Sequence, residues 1–535
     1  MIGYNILLRT RTLALSALAV IALYGCARDW PAFRHDALRT GGQINYSALA
    51  NPSAVGSLHV APGWPYQPPG AMAFRASPVV SKGRVFIGNG NGRFYAIDAA
   101  SGALIWQYPA PATAALTSQF TCNPSSAGIA ASATMARING ADAVIFGAPD
   151  RSIGSGLGSG RLFALDARTG QEIWKSPELA RLTGTTWGSA TELHEQIGYS
   201  APVVSGNRIY VGIANHCDNP IQNGRIVAVD LATGAVDPAF NYASTNTRGG
   251  GIWSALAASL DGRAVFATTG NARCWNGGCQ AEPSTNRSLS MVRVNAATGA
   301  LVWQFQPVPF ALDDDPDWAS GPASVLASCG TLIASTQKDG WTYAINAGSA
   351  IPGAAAVRWQ FPPTGFPFNP ADGTVHGDTR YLRPGAAWGD VFITNGGGLN
   401  LTAANGIFDN YSRLHAFNSC AASADRVRWI KDVPGAVGPY SLGPPTVTRG
   451  IVYVGTAAGR LIAIADPSIA PPAGSRCIHP DVPTGSCVAS GFTLVPDPAV
   501  LADIQLDGSI LTEPALAKGR VYVATGAGKL YMLEP

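Results

Sequence analysis

The sequence predicts an all-β fold, an eight-bladed β-propeller built from four-stranded antiparallel blades. One motif, a variant of Gly-Arg-aromatic-x-Ala-Ile-Asp, recurs through the chain at intervals of roughly 50–70 residues, a period typical of a radial array of sheets. Its eight copies are Gly92–Asp98, Gly160–Asp166, Gly224–Asp230, Ser288–Asn295, Gly340–Asn346, Ser412–Asn418, Gly459–Ala465 and Gly528–Glu534. The residues around each copy alternate between strand formers and turn formers, which indicates several short strands in every repeat.

The first repeat shows how one blade is assembled. The apolar runs Val79–Val80 and Val85–Ile87 flank the turn Ser81–Arg84, Phe94–Asp98 forms a third strand and Leu104–Trp106 starts a fourth. Branched and aromatic residues occupy the strands, whereas Gly, Asn, Asp and Ser occupy the turns. Unrelated β-sandwiches are the alternative, but the first four repeats share a tail of the type Thr-Gly-Ala-Leu-Ile-Trp. This shared tail favours one repeating architecture.

The composition fits one propeller domain rather than several unlike domains. Residues 76–535 are expected to form the eight blades, and residues 27–75 a lead-in that contributes to closure of the propeller. Closure from the N-terminal side is expected because the chain ends in the strand-like run Leu530–Leu533. Charged residues make up only 13% of the 535 residues and the net charge is +3. Without a Lys/Arg block, nucleic acid is not an expected partner.

The first 26 residues have the pattern of a secretory signal. Arg9 and Arg11 precede an apolar stretch, Leu13–Leu23, which is too short to span a bilayer comfortably. The segment Leu23–Cys26 resembles a bacterial lipoprotein cleavage box, in which Cys26 becomes the lipidated first residue. The alternative is ordinary cleavage near the same place. The prediction is an exported, periplasmic protein that is lipid-anchored to the outer membrane, with no other membrane contact.

The remaining eight cysteines favour disulfides in an oxidising compartment. Cys274–Cys279 and Cys477–Cys487 are expected local pairs, since each pair is close in sequence. The other four cysteines can pair in three ways; they are Cys122, Cys217, Cys329 and Cys420. Cys274 and Cys279 could instead bind a metal, but no second pair with zinc-type spacing lies nearby. No Cys-x-x-Cys-His motif is present, so the sequence encodes no covalent c-type haem site.

The repeat, read as Ala-Ile-Asp followed by Thr-Gly and Leu-x-Trp, resembles the tryptophan-docking repeat of quinoproteins. These are eight-bladed dehydrogenases that bind pyrroloquinoline quinone (PQQ), and the resemblance extends over almost the whole mature chain. It is nearest to the polyvinyl-alcohol dehydrogenase-like branch of that family. A non-enzymatic lipoprotein of the outer-membrane barrel assembly machinery carries the same kind of repeat. The repeat by itself therefore implies the fold rather than an activity.

Two segments of the fourth repeat resemble the cofactor and metal sites of the quinoproteins. Gly249–Trp253 is similar to the glycine-rich turn before the tryptophan on which the quinone stacks, which implies that Gly251 and Trp253 bind the cofactor. An aromatic floor suits a flat ring, and glycines permit close approach. Thr268–Asn271 resembles the Thr-Gly-Asn segment whose asparagine is a metal ligand, which implies that role for Asn271. The plain alternatives are a blade-packing tryptophan and an ordinary turn.

Two further segments resemble those that supply the catalytic base and a cation beside the quinone in this family. The acidic run Asp313–Trp318 resembles the segment with the catalytic aspartate, which implies Asp315 as the base and Asp317 as a second acid. Clustered carboxylates repel unless a cation neutralises them, so Asp315 and Asp317 are also expected metal ligands, for calcium or a lanthanide. Lys338 resembles the cation that contacts the quinone oxygen. The alternatives are a solvated acidic loop and a surface lysine.

Three departures from the family pattern are visible. The stretch that corresponds to the metal-binding glutamate, Ser155–Gly160, contains no acid, so Glu192 or Glu195 would have to replace it. No two cysteines are adjacent, so the vicinal disulfide of many family members is absent. The haem segment normal for the polyvinyl-alcohol branch is also missing.

Three functional hypotheses follow from these residues. The favoured one is an exported PQQ-dependent dehydrogenase that oxidises a small or polymeric alcohol and passes electrons to a separate acceptor such as a cytochrome. The second is a cofactor-free lipoprotein that scaffolds envelope proteins, for which the acidic run and Lys338 are incidental. A propeller hydrolase or lyase is the third, but no nucleophile elbow or histidine cluster supports it. Convergence of the acidic run, Asn271 and Lys338 at one end of the channel separates the first two.

Overall fold

The chain forms a ring of antiparallel sheets, and the expected eight-bladed propeller is confirmed. The computed structural model describes residues 29–43, 48–119, 126–150, 159–180, 195–197, 199–215, 223–245, 249–272, 286–307, 317–318, 320–338, 341–348, 357–361, 384–397, 411–437, 442–477 and 494–535. The predicted signal segment and Cys26 lie outside these residues. No helix among the described residues has the length and apolar character needed to cross a membrane.

Each blade contains an inner, a second, a third and an outer strand. The strands of blades 1 to 4, in that order within each blade, are Val79–Ser81, Arg84–Gly88, Phe94–Asp98 and Leu104–Tyr108; Thr134–Ile138, Ala141–Asp150, Ser159–Asp166 and Glu172–Lys175; Val203–Ser205, Arg208–Asn215, Arg225–Asp230 and Tyr242–Ala243; Ala257–Ala258, Ala264–Thr268, Met291–Asn295 and Leu301–Phe305. In blade 3 a further short strand, Glu195–Gln196, also pairs with the second strand.

Blades 5 to 8 repeat this order. Their strands are Ala323–Ala327, Gly330–Thr336, Thr342–Asn346 and Val357–Phe361; Ala386–Trp388, Val391–Gly397, Tyr411–Asn418 and Val427–Val437; Thr446–Thr448, Ile451–Gly455, Arg460–Ala465 and Ala499–Gln505; Ala515–Ala517, Arg520–Ala524, Leu530–Glu534 and His59–Val60. Among the described residues, two small hairpins and three short helical segments lie outside the blades. They are Ser118–Gln119 with Ser126–Ala127, Gly474–Cys477 with Leu494–Asp497, Ala48–Ala50, Pro52–Gly56 and Ser423–Asp425.

Tryptophans on outer strands dock onto the turn of the next blade. The Trp106 ring of blade 1 covers Gly170 of blade 2, where a Cβ atom would lie 2.6 Å from the ring. Trp174 covers Gly234 of blade 3 in the same way, and its Nε1 donates a hydrogen bond to Leu231 O. Both glycines have positive φ, which residues with a side chain rarely adopt. The Thr-Gly turns of the repeat therefore provide the surface on which these rings pack.

Residues from the N-terminal side complete the last blade. His59 and Val60 pair with Glu534 and Leu533 as the outer strand of blade 8, and the Ala61 N–H extends the contact by donating to Met532 O at 3.0 Å. Trp64 then lies against Gly102 in the turn of blade 1, where a Cβ atom would be 3.3 Å from the ring, closer than ordinary van der Waals contact. The docking pattern consequently continues across the point where the ring closes.

A second N-terminal element, the hub segment Asp29–Gln43, runs among the inner strands. Its backbone contacts six blades through hydrogen bonds of 2.7–3.0 Å: Trp30 with Val80, Met135 with Pro31, Ala258 with Ala37, Ser324 with Leu38, Ala387 with Thr40, and Val447 with both Gly41 and Gln43. These bonds reach blades 1, 2, 4, 5, 6 and 7. One segment thus contributes a partner to most inner strands of the ring.

Two buried arginines of the hub segment reach the other two blades. Arg39 donates to Pro202 O of blade 3 at 2.8 Å and also to Leu256 O of blade 4 at 2.8 Å. Arg34 forms an ion pair of 2.8 Å with Glu513, just before the inner strand of blade 8, and both side chains are fully buried. Arg34 and Arg39 each have a φ near +58°, an uncommon conformation for residues with a side chain. Hydrogen bonds from the two guanidinium groups to Glu513 and to carbonyl groups of several blades hold them there.

The structure shows one bond between two of the four cysteines whose pairing the sequence left open. Cys329 and Cys420 form a disulfide with a Cα–Cα distance of 5.6 Å, which joins a turn of blade 5 to a turn of blade 6. Cys477 is also disulfide-bonded. Cys122, Cys217, Cys274, Cys279 and Cys487 lie outside the described residues, so the predicted Cys274–Cys279 and Cys477–Cys487 pairs remain predictions.

We expect Glu513→Gln to destabilise the whole propeller. The substitution leaves the Arg34 charge buried without a carboxylate, and breaking a buried pair in this way typically costs about 3–5 kcal/mol. The measurement is the urea concentration at half-unfolding. Glu534→Gln is the matched control, because its pair with Arg520 is partly exposed and is expected to contribute no more than about 1 kcal/mol. Equal changes in the two variants would contradict a central role for Arg34–Glu513.

We expect His415 to make the protein less stable in acid. Burial, with a smaller effect from Arg413, lowers the pKa of His415 from 6.5 to about 3. Between these values the unfolded chain binds a proton that the folded chain does not, so stability falls as pH decreases from about 6.5 to about 3. His415→Phe, which suits the stack on Phe417, should flatten the fall in unfolding free energy between pH 6.5 and 4. An unchanged pH dependence, matching that of the exposed-site control His59→Gln, would refute this.

Candidate active site

The candidate site lies where blades 4 and 5 present the same end of their strands. Trp253 precedes the inner strand of blade 4, and Asn271 follows its second strand. Asp317 and Lys338 hold the equivalent places in blade 5. Because neighbouring strands are antiparallel, a residue before the inner strand and one after the second strand lie at the same end of a blade. The repeat geometry therefore brings these four positions to one region.

The segment before Trp253 is held closely against the Asn271 turn. The Gly250 N–H donates to Asn271 O and the Gly270 N–H donates to Gly251 O, both at 2.7 Å. A Cβ atom on Gly270 would lie 3.0 Å from Gly251 O and 3.6 Å from Cδ1 of Trp253, so a side chain would crowd this contact. The half-buried Trp253 ring consequently stands beside a surface made largely of backbone.

Asp317 is the centre of the contacts between the two blades. Its Oδ1 lies 2.5 Å from Nζ of Lys338, and its Oδ2 accepts a 3.0 Å hydrogen bond from Nε1 of Trp253. The Lys338 N–H also donates to Asp317 O at 3.1 Å. Asp317 is 3% exposed and Lys338 6% exposed. A buried carboxylate thus shares its charge with an ammonium group and an indole N–H, which are strong partners in a dry site.

Trp318 fixes the position of Asp317. Its ring is 1% exposed and packs in the core between blades 4 and 5, with its centroid 5.8 Å from that of Tyr343. Next to Lys338, the Gln337 N–H donates to Trp341 O, which ties the end of the second strand of blade 5 to the residue before its third strand. The Lys338 Nζ lies 6.0 Å from the centre of the Trp253 ring, at the outer limit of a cation–π contact. Trp253, Asp317 and Lys338 are therefore one cluster, which we call the site triad.

The structure brings most of the sequence candidates together. Gly251, Trp253, Asn271, Asp317 and Lys338 converge at this end of blades 4 and 5, the arrangement that the enzyme hypothesis requires. Asp315, predicted as the base, lies outside the described residues. The described member of the acidic run that contacts Trp253 and Lys338 is Asp317.

The described residues supply only part of the ligand set that a metal ion would need. Asn271 is 2% exposed and an amide oxygen suits a hard cation, but both Asp317 oxygens already contact protein groups. Within the described ranges, no group of three or more His, Cys, Asp or Glu side chains is arranged to hold a metal ion. The described donors do not by themselves form a full set of ligands for calcium or a lanthanide.

Sequence reasoning missed the hydroxyl groups around the site triad. Thr268 Oγ1 contacts Ser254 Oγ at 2.8 Å and donates to Ser320 O at 2.9 Å. Thr269 Oγ1 donates to Arg287 O and accepts from the Ser290 N–H. The available signal was the pair of threonines before Gly270, together with a serine shortly before each neighbouring inner strand.

We expect Asp317 and Lys338 to be strongly coupled in a double-mutant cycle. Asp317→Asn or Lys338→Met alone leaves one buried charge and is expected to cost about 3–5 kcal/mol, whereas the double variant removes both charges and costs less than the sum. The measurement is the unfolding free energy from urea titrations. Lys82 and Asp142 form a more exposed control pair, expected to couple by no more than about 1 kcal/mol. Additive effects at Asp317 and Lys338 would rule out the paired state.

The chain is similar in sequence to known dehydrogenases. Residues 30–349 match the family model of the PQQ β-propeller domain of glucose, ethanol and alcohol dehydrogenases. The dehydrogenase subunit of a quinone-type alcohol dehydrogenase from Gluconacetobacter polyoxogenes is 27% identical over 402 residues, which cover 66% of this chain and 50% of that protein. A quinohemoprotein alcohol dehydrogenase from Comamonas testosteroni is 23% identical over 328 residues, covering 56% of this chain and 41% of that protein. The chain spans about half the length of the curated relatives it matches.

Solved structures show the same fold. A europium-containing methanol dehydrogenase superposes with a TM-score of 0.64 at 14% identity, covering 97% of this chain and all of that one. The Comamonas testosteroni quinohemoprotein alcohol dehydrogenase gives a TM-score of 0.61 at 17% identity, covering 96% of this chain and 81% of that one. Since the family model spans more than half of the chain, the protein belongs to the PQQ β-propeller family of glucose, ethanol and alcohol dehydrogenases.

Proposed function

We propose that this protein is a PQQ-dependent dehydrogenase that oxidises an alcohol at the site triad. The observation that carries the proposal is the contact of Asp317 with both Lys338 and Trp253, in a chain of the PQQ family. An aromatic face, a cation and a carboxylate are the groups that such a reaction needs close together. The relatives described above, all alcohol dehydrogenases by name, support the same class of substrate.

The residues around Trp253 suit a flat, anionic cofactor. The glycine backbone beside the ring leaves no side chain between it and an incoming planar group, and stacking on an aromatic ring favours such a group. Lys338 supplies a positive charge 6.0 Å from the ring centre, where it can stabilise negative charge on a bound quinone oxygen. When bound, PQQ supplies the acceptor for the hydride of the alcohol carbon.

Asp317 is the better-placed base in the described part of the chain. We assign to it the proton-accepting role that the sequence resemblance gave to Asp315. A carboxylate offers about four lone-pair positions, so the contacts with Lys338 and Trp253 leave room for a substrate hydroxyl. Asp317 accepts the hydroxyl proton while the carbon loses hydride, which leaves an aldehyde or ketone. Lys338 and the Trp253 N–H hold the carboxylate in place.

We also propose that a calcium or lanthanide ion binds beside the cofactor. Asn271, with Asp315 and Asp317, would supply oxygen ligands, and the ion would add positive charge beside the cofactor. The proton transfer to Asp317 proposed here requires no metal. Export and lipid attachment at Cys26 also remain predictions, as does a separate electron acceptor such as a cytochrome. The proposed substrate is an alcohol, small or polymeric.

We expect saturable PQQ binding that depends on the site triad. PQQ added to the cofactor-free protein should quench tryptophan fluorescence, and Trp253→Ala should abolish saturation because the stacking surface is lost. Asp317→Asn should still bind PQQ but oxidise alcohol about 10²–10⁴-fold more slowly with an artificial electron acceptor, since the base is removed. Titrations with calcium and with lanthanum test whether either ion is needed.

Trp174→Phe is the matched control, because Trp174 packs between blades 2 and 3 instead of at the site. It should bind PQQ like the wild type. Absence of saturable quenching with either metal would reject the dehydrogenase and favour the cofactor-free envelope scaffold. Full activity in Asp317→Asn would reject Asp317 as the base while leaving PQQ binding intact.

A further inference from the structure

A chain of buried hydroxyl groups accompanies the site triad across blades 4, 5 and 6. Ser254 Oγ and Thr268 Oγ1 are 2.8 Å apart, Ser320 Oγ accepts from the Thr336 N–H at 3.0 Å, and Thr336 Oγ1 lies 3.0 Å from Thr394 Oγ1. All five side chains are at most 6% exposed. Ser254 is next to Trp253, Ser320 is three residues after Asp317, and Thr336 is two residues before Lys338. Each member of the triad therefore lies within three residues of a buried, hydrogen-bonded hydroxyl group.

Thr268 makes the link that crosses between the two halves of the triad. Trp253 belongs to blade 4, whereas Asp317 and Lys338 belong to blade 5. The Thr268 hydroxyl of blade 4 donates to Ser320 O of blade 5 at 2.9 Å. A threonine has one O–H donor, so in its contact with Thr268 it is Ser254 that donates. A single hydroxyl thus connects the residue after Trp253 to the backbone just after Asp317.

The Thr268–Ser320 hydrogen bond and the Trp253–Asp317 contact join the same two blades. The hydrogen bond from Trp253 Nε1 to Asp317 Oδ2 crosses the same boundary between blades, at 3.0 Å. If the boundary widened, the indole and the carboxylate would separate, because Trp253 and Asp317 are attached to opposite sides of it. Thr512 in blade 8 is a useful contrast: it is equally buried, but its hydroxyl donates to Ala524 O within its own blade.

We propose that Thr268 is a positioning residue that sets the separation of the Trp253 indole from the Asp317 carboxylate. Its consequence for cofactor binding rests on the proposed function, whereas its effect on the Trp253–Asp317 contact does not. Thr268→Val keeps the shape of the side chain and removes the hydroxyl, which leaves Ser320 O without this donor. Ser320 O keeps the hydrogen bond from Ser335 Oγ within blade 5, but the bond between the two blades is lost and the Ser254 hydroxyl loses its acceptor, which favours local rearrangement.

The test uses the indole N–H resonance of Trp253 in ¹⁵N-tryptophan-labelled, cofactor-free protein, identified by its loss in Trp253→Phe. Thr268→Val should shift this resonance upfield and weaken PQQ binding by about tenfold. Thr268→Ser, which keeps the hydroxyl, should restore both values. Thr512→Val is the matched control and should change neither, although it also removes a buried threonine hydroxyl.

An unchanged Trp253 resonance in Thr268→Val would overturn the proposal, as would an equal shift in Thr512→Val. If Thr268→Val does not fold, Ser254→Ala removes the other hydrogen bond of Thr268 and must shift the resonance in the same direction. Lack of PQQ binding by the wild type would reject the proposed function alone, because the resonance still decides the role of Thr268. Weaker PQQ binding without a resonance shift would also count against positioning.

Discussion

Closure of the ring by its own N-terminal residues is the constraint on which the other features depend. The hub segment supplies hydrogen bonds to inner strands around the ring, and Arg34 joins it to Glu513. Burial lowers the pKa of Arg34 and raises that of Glu513, each against the pull of the partner, so removing both charges from water is costly. We infer that this pair contributes mainly by specifying one arrangement, since a slipped ring would leave two charges buried apart.

The geometry of the site triad depends on how the blades are arranged in the closed ring. Its members come from two blades, so no single hairpin could assemble it. Trp318 packs between the same two blades, and the disulfide between Cys329 and Cys420 ties blade 5 to blade 6 on its other side. Blade 5, which carries Asp317 and Lys338, is consequently restrained on both flanks. A rigid support of this kind suits a site in which small displacements of a charged group alter reactivity.

The repeat in the sequence was sufficient to predict the architecture, whereas the candidate site residues were predicted from the resemblance to the quinoproteins. Once each repeat is read as a hairpin, residues such as Trp253 and Lys338 must lie at the same end of adjacent blades. The sequence was insufficient to predict the contacts of Asp317 with Trp253 and Lys338, since spacing within an acidic run does not reveal which groups a given carboxylate meets. The roles of Arg34 and Arg39 were equally hidden, because their partners are carbonyl groups of blades far away in the sequence. The Cys329–Cys420 pairing likewise became evident only when the turns of neighbouring blades were seen side by side.

The position of the hub segment and the closing strand also dictates the order in which the molecule can be completed. Arg34 and Glu513 are separated by 479 residues, so the hub segment is synthesised well before this partner. Individual hairpins can form from local contacts in the meantime, but long-range pairing is slow. Until it occurs, the third strand of blade 8, Leu530–Glu534, has an unpaired edge open to other chains. The interval before closure is therefore the period in which this chain is most exposed to aggregation, and its length is governed by residues at opposite ends of the propeller.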